Sequence, residues 1–388
     1  MARIAIIGAG TAALPVAFEM AESARAEDRV SVISDRARFR AGPPVPWVAP
    51  RAASRGIVEF EIGPALAKKG IAFDAAGAKR VRPERNQVEL GDGTSLEYDF
   101  LVIAAGPKPA FDEVEGLGPE GFTQSICHAD HLGRCARAWN RLVARPGPLV
   151  VGAVQGATCL APAYECAFRM DAELRRRGVR QRSPMTFVTP EPYVGELGVG
   201  GAEDSRARLE DELRARQIGW ITGATVVRVQ RARLHLVEGR GPSGFLPFRY
   251  ALLMPALRGI DALRGIEGLV NERGFVLVDQ YHRNPKYRNI FAAGVAIAAA
   301  PGEPASIPGA RAVPCLLEST AESVARNIRD QIDGKRPACS ATRRPMRLVD
   351  RGGSGLAFVA DQGCTSAGDA SRGAWVHVTQ CACCDAAR

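Results

Sequence analysis

Ten cysteines stand in this chain of 388 residues: Cys127, Cys135, Cys159, Cys166, Cys315, Cys339, Cys364, Cys381, Cys383 and Cys384. A chain of this size without a secretory signal is not expected to use them as a disulfide framework. Redox chemistry or metal binding is the sharper use, and inert burial describes most of the rest. Cys159 has the most telling context, Gly152-Ala-Val-Gln-Gly156-Ala-Thr-Cys159-Leu-Ala-Pro162. The preceding run reads as a strand, and Pro162 suits the first position of a helix. A thiol near a helix N-terminus has its pKa lowered by the dipole, which favours the reactive thiolate. The alternative is a small buried apolar residue. The trio Cys381, Cys383 and Cys384 lacks the usual Cys-x-x-Cys pairing of a zinc site. A flexible redox tail or an inconsequential end suits it better, and no metal site is expected.

Glycines carry the second chemistry. Gly8-Ala-Gly10-Thr-Ala-Ala13 follows an apolar run and precedes an amphipathic one. The first glycine permits a tight turn, the second lets backbone approach a pyrophosphate, and Ala13 lets helix and strand pack closely. The pyrophosphate then rests on the helix N-terminus, where free N–H groups favour an anion. Asp35, or Ser34 before it, lies past the next strand and suits ribose hydroxyls. Two further runs, Asp99-Phe-Leu-Val-Ile-Ala-Ala105-Gly106 and Asn289-Ile-Phe-Ala-Ala-Gly294, end on glycine where a ligand can come close. At Gly152 the corresponding turn lacks the middle glycine of a nicotinamide-dinucleotide fingerprint, so sulfur chemistry replaces phosphate binding there.

The elements that position these residues follow from periodicity. Strands are expected at residues 3–8, 29–34 and 100–104, with a helix over 11–23; Pro15 is tolerable only near that helix start. Such a βαβ order implies a parallel sheet. A hairpin is expected at Gly91-Asp92-Gly93. A second unit has strands at 149–152 and 185–189 around a helix over 161–176. Strands at 275–279 and 289–293 and a helix over 315–330 follow. Two strand-like pieces, 355–359 and 374–378, could pair and cap the second unit. The fold class is therefore α/β: two Rossmann-like dinucleotide-binding domains with a C-terminal capping region. Residues 1–110 and 266–330 are expected to form the first domain, 111–265 the second, and 331–388 the C-terminal region.

The composition fits a globular protein with a proper core: 46% hydrophobic, 24% charged and only 6% aromatic. Net charge is +9, which favours anionic lipid, an acidic partner or anionic substrates. Dispersed arginines and the lack of an aromatic–basic module argue against nucleic acid. No apolar run approaches the ~20 residues of a membrane span. The apolar stretch at 4–20 reads as a strand and glycine turn, so no signal peptide is expected. The expected location is cytoplasmic or peripheral to a membrane.

Several long segments resemble the sulfide:quinone oxidoreductases and the related flavocytochrome c sulfide dehydrogenases. They are the run from Gly152 to Glu165, Met185-Thr-Phe-Val-Thr-Pro-Glu-Pro-Tyr-Val-Gly195, Val45-Pro-Trp-Val48, Gln124-Ser-Ile-Cys127 and Gly274-Phe-Val-Leu-Val-Asp279. The likeness runs to about Val378. It implies FAD as cofactor, and sulfide with a quinone or a soluble electron acceptor as reactants. Cys127 and Cys159 match two family redox cysteines, His131 a histidine that manages protons, and Glu165 a family glutamate. Spaced four apart, Cys127 and His131 would share one face if that segment is helical. Otherwise Glu165 is a first-turn acid serving a helix dipole, and His131 a satisfied histidine. The resemblance implies that hydrosulfide attacks a disulfide or polysulfide bridge between the two cysteines, freeing a thiolate that passes two electrons to the flavin.

The departures are specific. Arg347 stands where three-cysteine members carry another cysteine, Ala312 and Cys315 replace a Lys and a Tyr at the quinone end, and Glu196 replaces a histidine. The family's C-terminal amphipathic helices have no counterpart before Arg388. An NAD(P)H:acceptor oxidoreductase, or a degenerate FAD-binding member acting as a sensor or partner, are the alternatives. A homo-oligomer is expected.

Overall fold

The computed structural model describes residues 1–41, 58–157, 160–196, 205–239, 241–298, 314–340, 346–350, 355–360 and 373–378. Cys159, Ala312, Cys364, Cys381, Cys383, Cys384 and the Val45–Val48 motif lie outside the described residues.

Along the chain the elements used below are β1 (Arg3–Ile7), α1 (Ala13–Ser23), β2 (Arg29–Ile33), β3 (Ala72–Asp74) and β4 (Phe100–Ile103). Next come α2 (Ala129–Ala144), β5 (Leu149–Ala153), α3 (Ala161–Arg176), β6 (Met185–Val188) and α4 (Ser205–Ala215). Then follow β7 (Ile218–Ile221), β8 (Ala224–Gln230), β9 (Tyr250–Met254), β10 (Ile290–Ala292) and α5 (Pro314–Ile332).

Two parallel sheets organise the molecule. The first has the order β10-β4-β1-β2-β3 and the second β7-β6-β5-β9. Their strands are mostly Val, Ile, Leu, Ala and Phe because parallel strands are covered on both faces. On one face of the first sheet, Val16, Ala17 and Met20 of α1 meet Val324 and Ile328 of α5 over Ile4 and Ile6. On the other, Ala5, Ile7, Leu101 and Ile103 pack on Val81, Val88 and Leu90 of an antiparallel ribbon. The second sheet buries Val151 and Phe187 beneath Trp139 of α2 and Tyr164, Phe168 and Leu174 of α3. Its far face is covered by a three-stranded antiparallel sheet, β8 with Arg233–Glu238 and Ser243–Pro247.

The expected hairpin around Gly91, the two βαβ units and the C-terminal strands all appear. The last are joined by a third strand, Met346–Asp350, which lies against α3. The strand expected over 275–279 does not form. Only Val276 bridges, to Val270 and Ile297. The Asn271 side chain accepts the N–H groups of Arg273 and Phe275, and Gly274 turns at φ +82°. Phe275 and Val276 are fully buried, so their apolar character reports burial and not pairing.

Candidate functional site

Four strands of the first sheet end level with one another. Ile7 pairs with Ile103, Ile103 with Ala292, and Ile7 with Ile33 on its other side. The residues that follow therefore emerge side by side along one carboxyl edge: Gly8, Ala105 and Gly106, Gly294, Ser34 and Asp35. This is where an open α/β sheet binds its ligand. Gly8 sits at φ +114°, and a Cβ there would lie 2.7 Å from the carbonyl oxygen of Ala104. Its N–H donates to Ile33 O at 2.8 Å. Gly10, in contrast, faces open space, with no atom within 4 Å of a Cβ position.

The N-terminus of α1 has neither a side-chain cap nor an acid in its first turn. Its orphan N–H groups stay available, as an anion site requires. Ala13 is fully buried against the core, the close packing its small side chain permits. The Ser34 hydroxyl accepts the N–H of Arg36 at 3.1 Å and keeps its own proton to donate; Asp35 is exposed. Gly294 takes φ +65° and opens a short 3₁₀ turn.

The second sheet's equivalent turn is arranged differently. A Cβ on Gly152 would fall 1.8 Å from Val188 O, so β5 and β6 touch there. Gln155 then turns its amide onto β8, donating to Val226 O at 3.0 Å and accepting Val226 N–H at 2.9 Å. After β6 comes Glu191, at the place where a dinucleotide fold puts its ribose-binding acid. It is almost fully buried and accepts the hydroxyls of Tyr164 and Thr189, each at 2.6 Å. Both the phosphate turn and the acid are committed to internal bonds. The glycine pattern signalled the first of these; nothing in the pattern signalled Glu191.

Cys127 reaches the same edge of this second sheet by a short extended segment. Gln124 N–H donates to Ala251 O at 2.7 Å and bridges Leu252 of β9 in parallel. The chain enters α2 only at Ala129, with His128 as an extended N-cap. Cys127 and His131 therefore do not share a helix face, because Cys127 precedes the helix. They are brought together by Ser125. Its buried hydroxyl accepts the Cys127 N–H at 3.1 Å and lies 3.0 Å from His131 Nδ1. The Cys127 N–H bonds back to the hydroxyl two residues earlier, a local serine turn at the point where the chain bends toward α2. That spacing was the signal sequence reading missed.

Two further thiols back this corner. Cys135 donates to the Ser125 carbonyl at 2.9 Å, and Cys166 on α3 is fully buried. Burial pushes the Cys127 thiol up, opposed by the Ser125 hydroxyl. Burial pushes Cys135 up to about 11, and pushes Cys166 and Tyr250 further. Desolvation holds both His128 and His131 below the usual histidine value, leaving them neutral. Phe111 packs at 6.0 Å from the His131 ring, and Arg36 lies 3.4 Å from His128. Glu165 is buried beside Cys166 as the fifth residue of α3, whose first turn contains no acid, so it is not a first-turn dipole partner. Pro162 does occupy the opening of α3.

Comparison with known proteins fits this arrangement. The pyridine nucleotide-disulphide oxidoreductase family matches residues 2–312. The chain is thus an FAD-binding oxidoreductase of that class. The sulfide-quinone reductase of Aquifex aeolicus (strain VF5) is 32% identical over 361 residues, 92% of this chain and 83% of that protein. The solved structure of the sulfide:quinone oxidoreductase from Aquifex aeolicus matches with a TM-score of 0.87 at 30% identity, over 98% of this chain and 87% of that one. A ferredoxin reductase from Rhodopseudomonas palustris matches at TM-score 0.67 and 17% identity, over 93% and 82% of the two chains, and shares the fold alone. The chain belongs to the sulfide:quinone oxidoreductase family.

Proposed function

We propose that this protein oxidises sulfide at Cys127 and Cys159 and delivers the electrons through FAD to a quinone. Residues 1–110 and 266–330 make the FAD domain, 111–265 the cysteine-bearing domain, and 331–388 the C-terminal region. In this reading Gly8, Gly10 and Ala13 would hold the pyrophosphate, Ser34 and Asp35 the ribose, and Ala105, Gly106 and Gly294 would line the flavin end. The observation that carries the proposal is Cys127 itself, delivered to the carboxyl edge of the second sheet beside a serine hydroxyl and a neutral imidazole.

Bound FAD supplies a carrier that accepts and then releases two electrons. The protein does the rest. Hydrosulfide adds to one sulfur of an oxidised Cys127–Cys159 pair, forming a persulfide on one cysteine and releasing the other as thiolate. Sulfide sulfur loses two electrons and its protons; the quinone takes up two electrons and two protons. Anaerobic sulfide should bleach the oxidised flavin band of the purified holoprotein, and FAD that stays oxidised under excess sulfide would sink the reading. Sulfide-dependent reduction of a short-chain quinone then identifies the acceptor.

Reduction by NAD(P)H has less support. Gln155 and Glu191 are both engaged internally where a pyridine dinucleotide would need them. The expected behaviour toward anaerobic NADH is an unchanged flavin spectrum.

A further inference from the structure

We propose that Arg36 and Arg40 are positioning residues: they clasp the start of α2, and the Cys127 turn before it, to the corner that holds the FAD ribose, so that cofactor binding and the placement of Cys127 are coupled. The proposal rests on the reading of Ser34 and Asp35 as the ribose residues.

The clasp begins at the end of β2. The Ser34 N–H donates to Asp74 O at 3.0 Å, and the Ser34 hydroxyl accepts the Arg36 N–H at 3.1 Å. This local serine turn fixes the direction in which Arg36 leaves the sheet. Gly77 closes the turn from behind, where a Cβ would lie 2.9 Å from the Asp35 Cβ. The Arg36 guanidinium then crosses to α2 and donates to His128 Nδ1 at 3.4 Å. A guanidinium can only donate, so the imidazole accepts and is neutral, as burial and the Arg36 charge both require.

Arg40 makes the second contact, with Nη1 at 3.3 Å from Asp130 Oδ1. It stands on the strand Arg38–Ala41, paired antiparallel with Val58–Glu61. Glu59 of the partner strand braces it, accepting Arg40 Nε at 3.3 Å. Phe39 stacks on Phe60 at 4.9 Å, and both pack on the core of the first sheet. Both arginines are thus anchored to the first sheet, and both partners lie at the start of α2. That start needs outside support. His128 is an extended N-cap without a side-chain cap bond, and helix ends left so tend to fray. Holding His128 also holds its neighbours. Its carbonyl accepts the His131 N–H at 3.0 Å, its ring meets the His131 edge at 5.3 Å, and Cys127 is the residue before it. Each contact is exposed and adds little to stability alone. The effect lies in coupling, and coupling is reciprocal. If FAD steadies the Cys127 turn, the clasp strengthens FAD binding by the same factor.

Two measurements on the full-length chain test this. One is deuterium uptake by peptides covering residues 124–134, with and without FAD. The other is the FAD Kd, from a fluorescence titration. In the parent, FAD should slow exchange at the start of α2 about fivefold, the low end of coupling between sites. The pair His128→Ala and Asp130→Asn leaves the ribose corner untouched. It should abolish that slowing and raise the FAD Kd by the same factor of about five. The pair Arg36→Gln and Arg40→Gln should do the same, and all four changes together should weaken FAD no further. Arg38 bonds only within its hairpin, to Glu59 and Glu61, so Arg38→Gln should keep the parent values. A parent Kd in the α2 pair, or FAD-dependent slowing that survives there, overturns the clasp. So does an Arg38→Gln protein that behaves like the clasp variants, because the effect then belongs to hairpin stability. A Ser34→Ala, Asp35→Ala protein with the parent Kd would overturn the ribose placement instead, while the clasp stands or falls on the α2 pair.

Discussion

Gly8 and Gly10 separate two demands that a glycine motif usually merges. At Gly8 the demand is internal: φ is +114° and Ala104 O would crowd any Cβ. Gly8→Ala should therefore cost about 1–3 kcal/mol even without cofactor, visible as a lower melting temperature of the flavin-free chain. At Gly10 the space is open. Gly10→Ala should change apoprotein stability by no more than about 0.5 kcal/mol yet reduce FAD retention, measured as the flavin-to-protein absorbance ratio. Full retention would remove Gly10 from the cradle. A second residue-scale effect concerns acid. His128 and His131 are both depressed below 6.5 by burial. Their folded pKa lies under the unfolded one, so the unfolded chain takes up protons first. Stability is complete above the unfolded value and falls as pH drops below it. Urea midpoints between about pH 8 and pH 5 should decline, and His131→Gln should flatten part of that decline. Depressed carboxylates such as Asp28 and Asp99 act only below about 4, a separate window. The glycines were legible because their motif states a backbone need. Ser125 was not, because its contacts with the Cys127 N–H and the His131 ring depend on a chain path that follows the bridge of Gln124 to β9.

Elements were legible where apolar periodicity coincided with strand pairing or helix packing, as at β1, α1, β5 and α3. Residues 275–279 carry the same apolar run but meet their neighbours only through the isolated bridges of Val276 and scattered backbone bonds, and α2 begins two residues after Cys127, so periodicity alone misplaced both. What fixes α3 is also invisible to periodicity. Asp171 is fully buried and receives Arg180 Nε at 2.6 Å, Arg175 Nε at 3.0 Å and Arg216 at 3.2 Å. Arg180 continues to the carbonyls of Arg216 and Gln217, tying the helix to the turn before β7. Asp171→Asn would leave buried Arg180 without its counter-charge. The expected loss is about 3–5 kcal/mol, seen as a fall in the urea midpoint at unchanged slope. A midpoint within error of the parent would mean the three arginines re-pair elsewhere. The same helix follows Cys159 in the sequence and packs against the strand Met346–Asp350. Loosening it should also slow sulfide-driven bleaching, and the two measurements on one variant link the network to the site.

At the scale of the molecule, a hydrophobic electron acceptor requires contact with the lipid that dissolves it. Among the described residues no helix is long and apolar enough to cross a bilayer. The chain carries 51 Lys and Arg against 42 Asp and Glu. Each basic residue near an anionic surface contributes about 1 kcal/mol, so three in contact suffice for a change of about a hundredfold in partitioning. That attraction is screened over ~10 Å at 0.1 M salt and over only about 4 Å near 0.5 M. Surface association driven by charge should therefore be strong on vesicles containing anionic lipid, weak on neutral ones, and lost near 0.5 M salt. Co-flotation of the holoprotein with the two vesicle types at two salt concentrations measures it. Binding that persists in high salt, or that ignores lipid charge, would point to apolar insertion as the anchor. No binding at all would leave the net charge without a membrane role and direct the search for the acceptor to soluble carriers. Quinone reduction should follow the same pattern when the quinone is dissolved in the vesicles, faster on anionic lipid and falling with salt, because docking then limits the encounter.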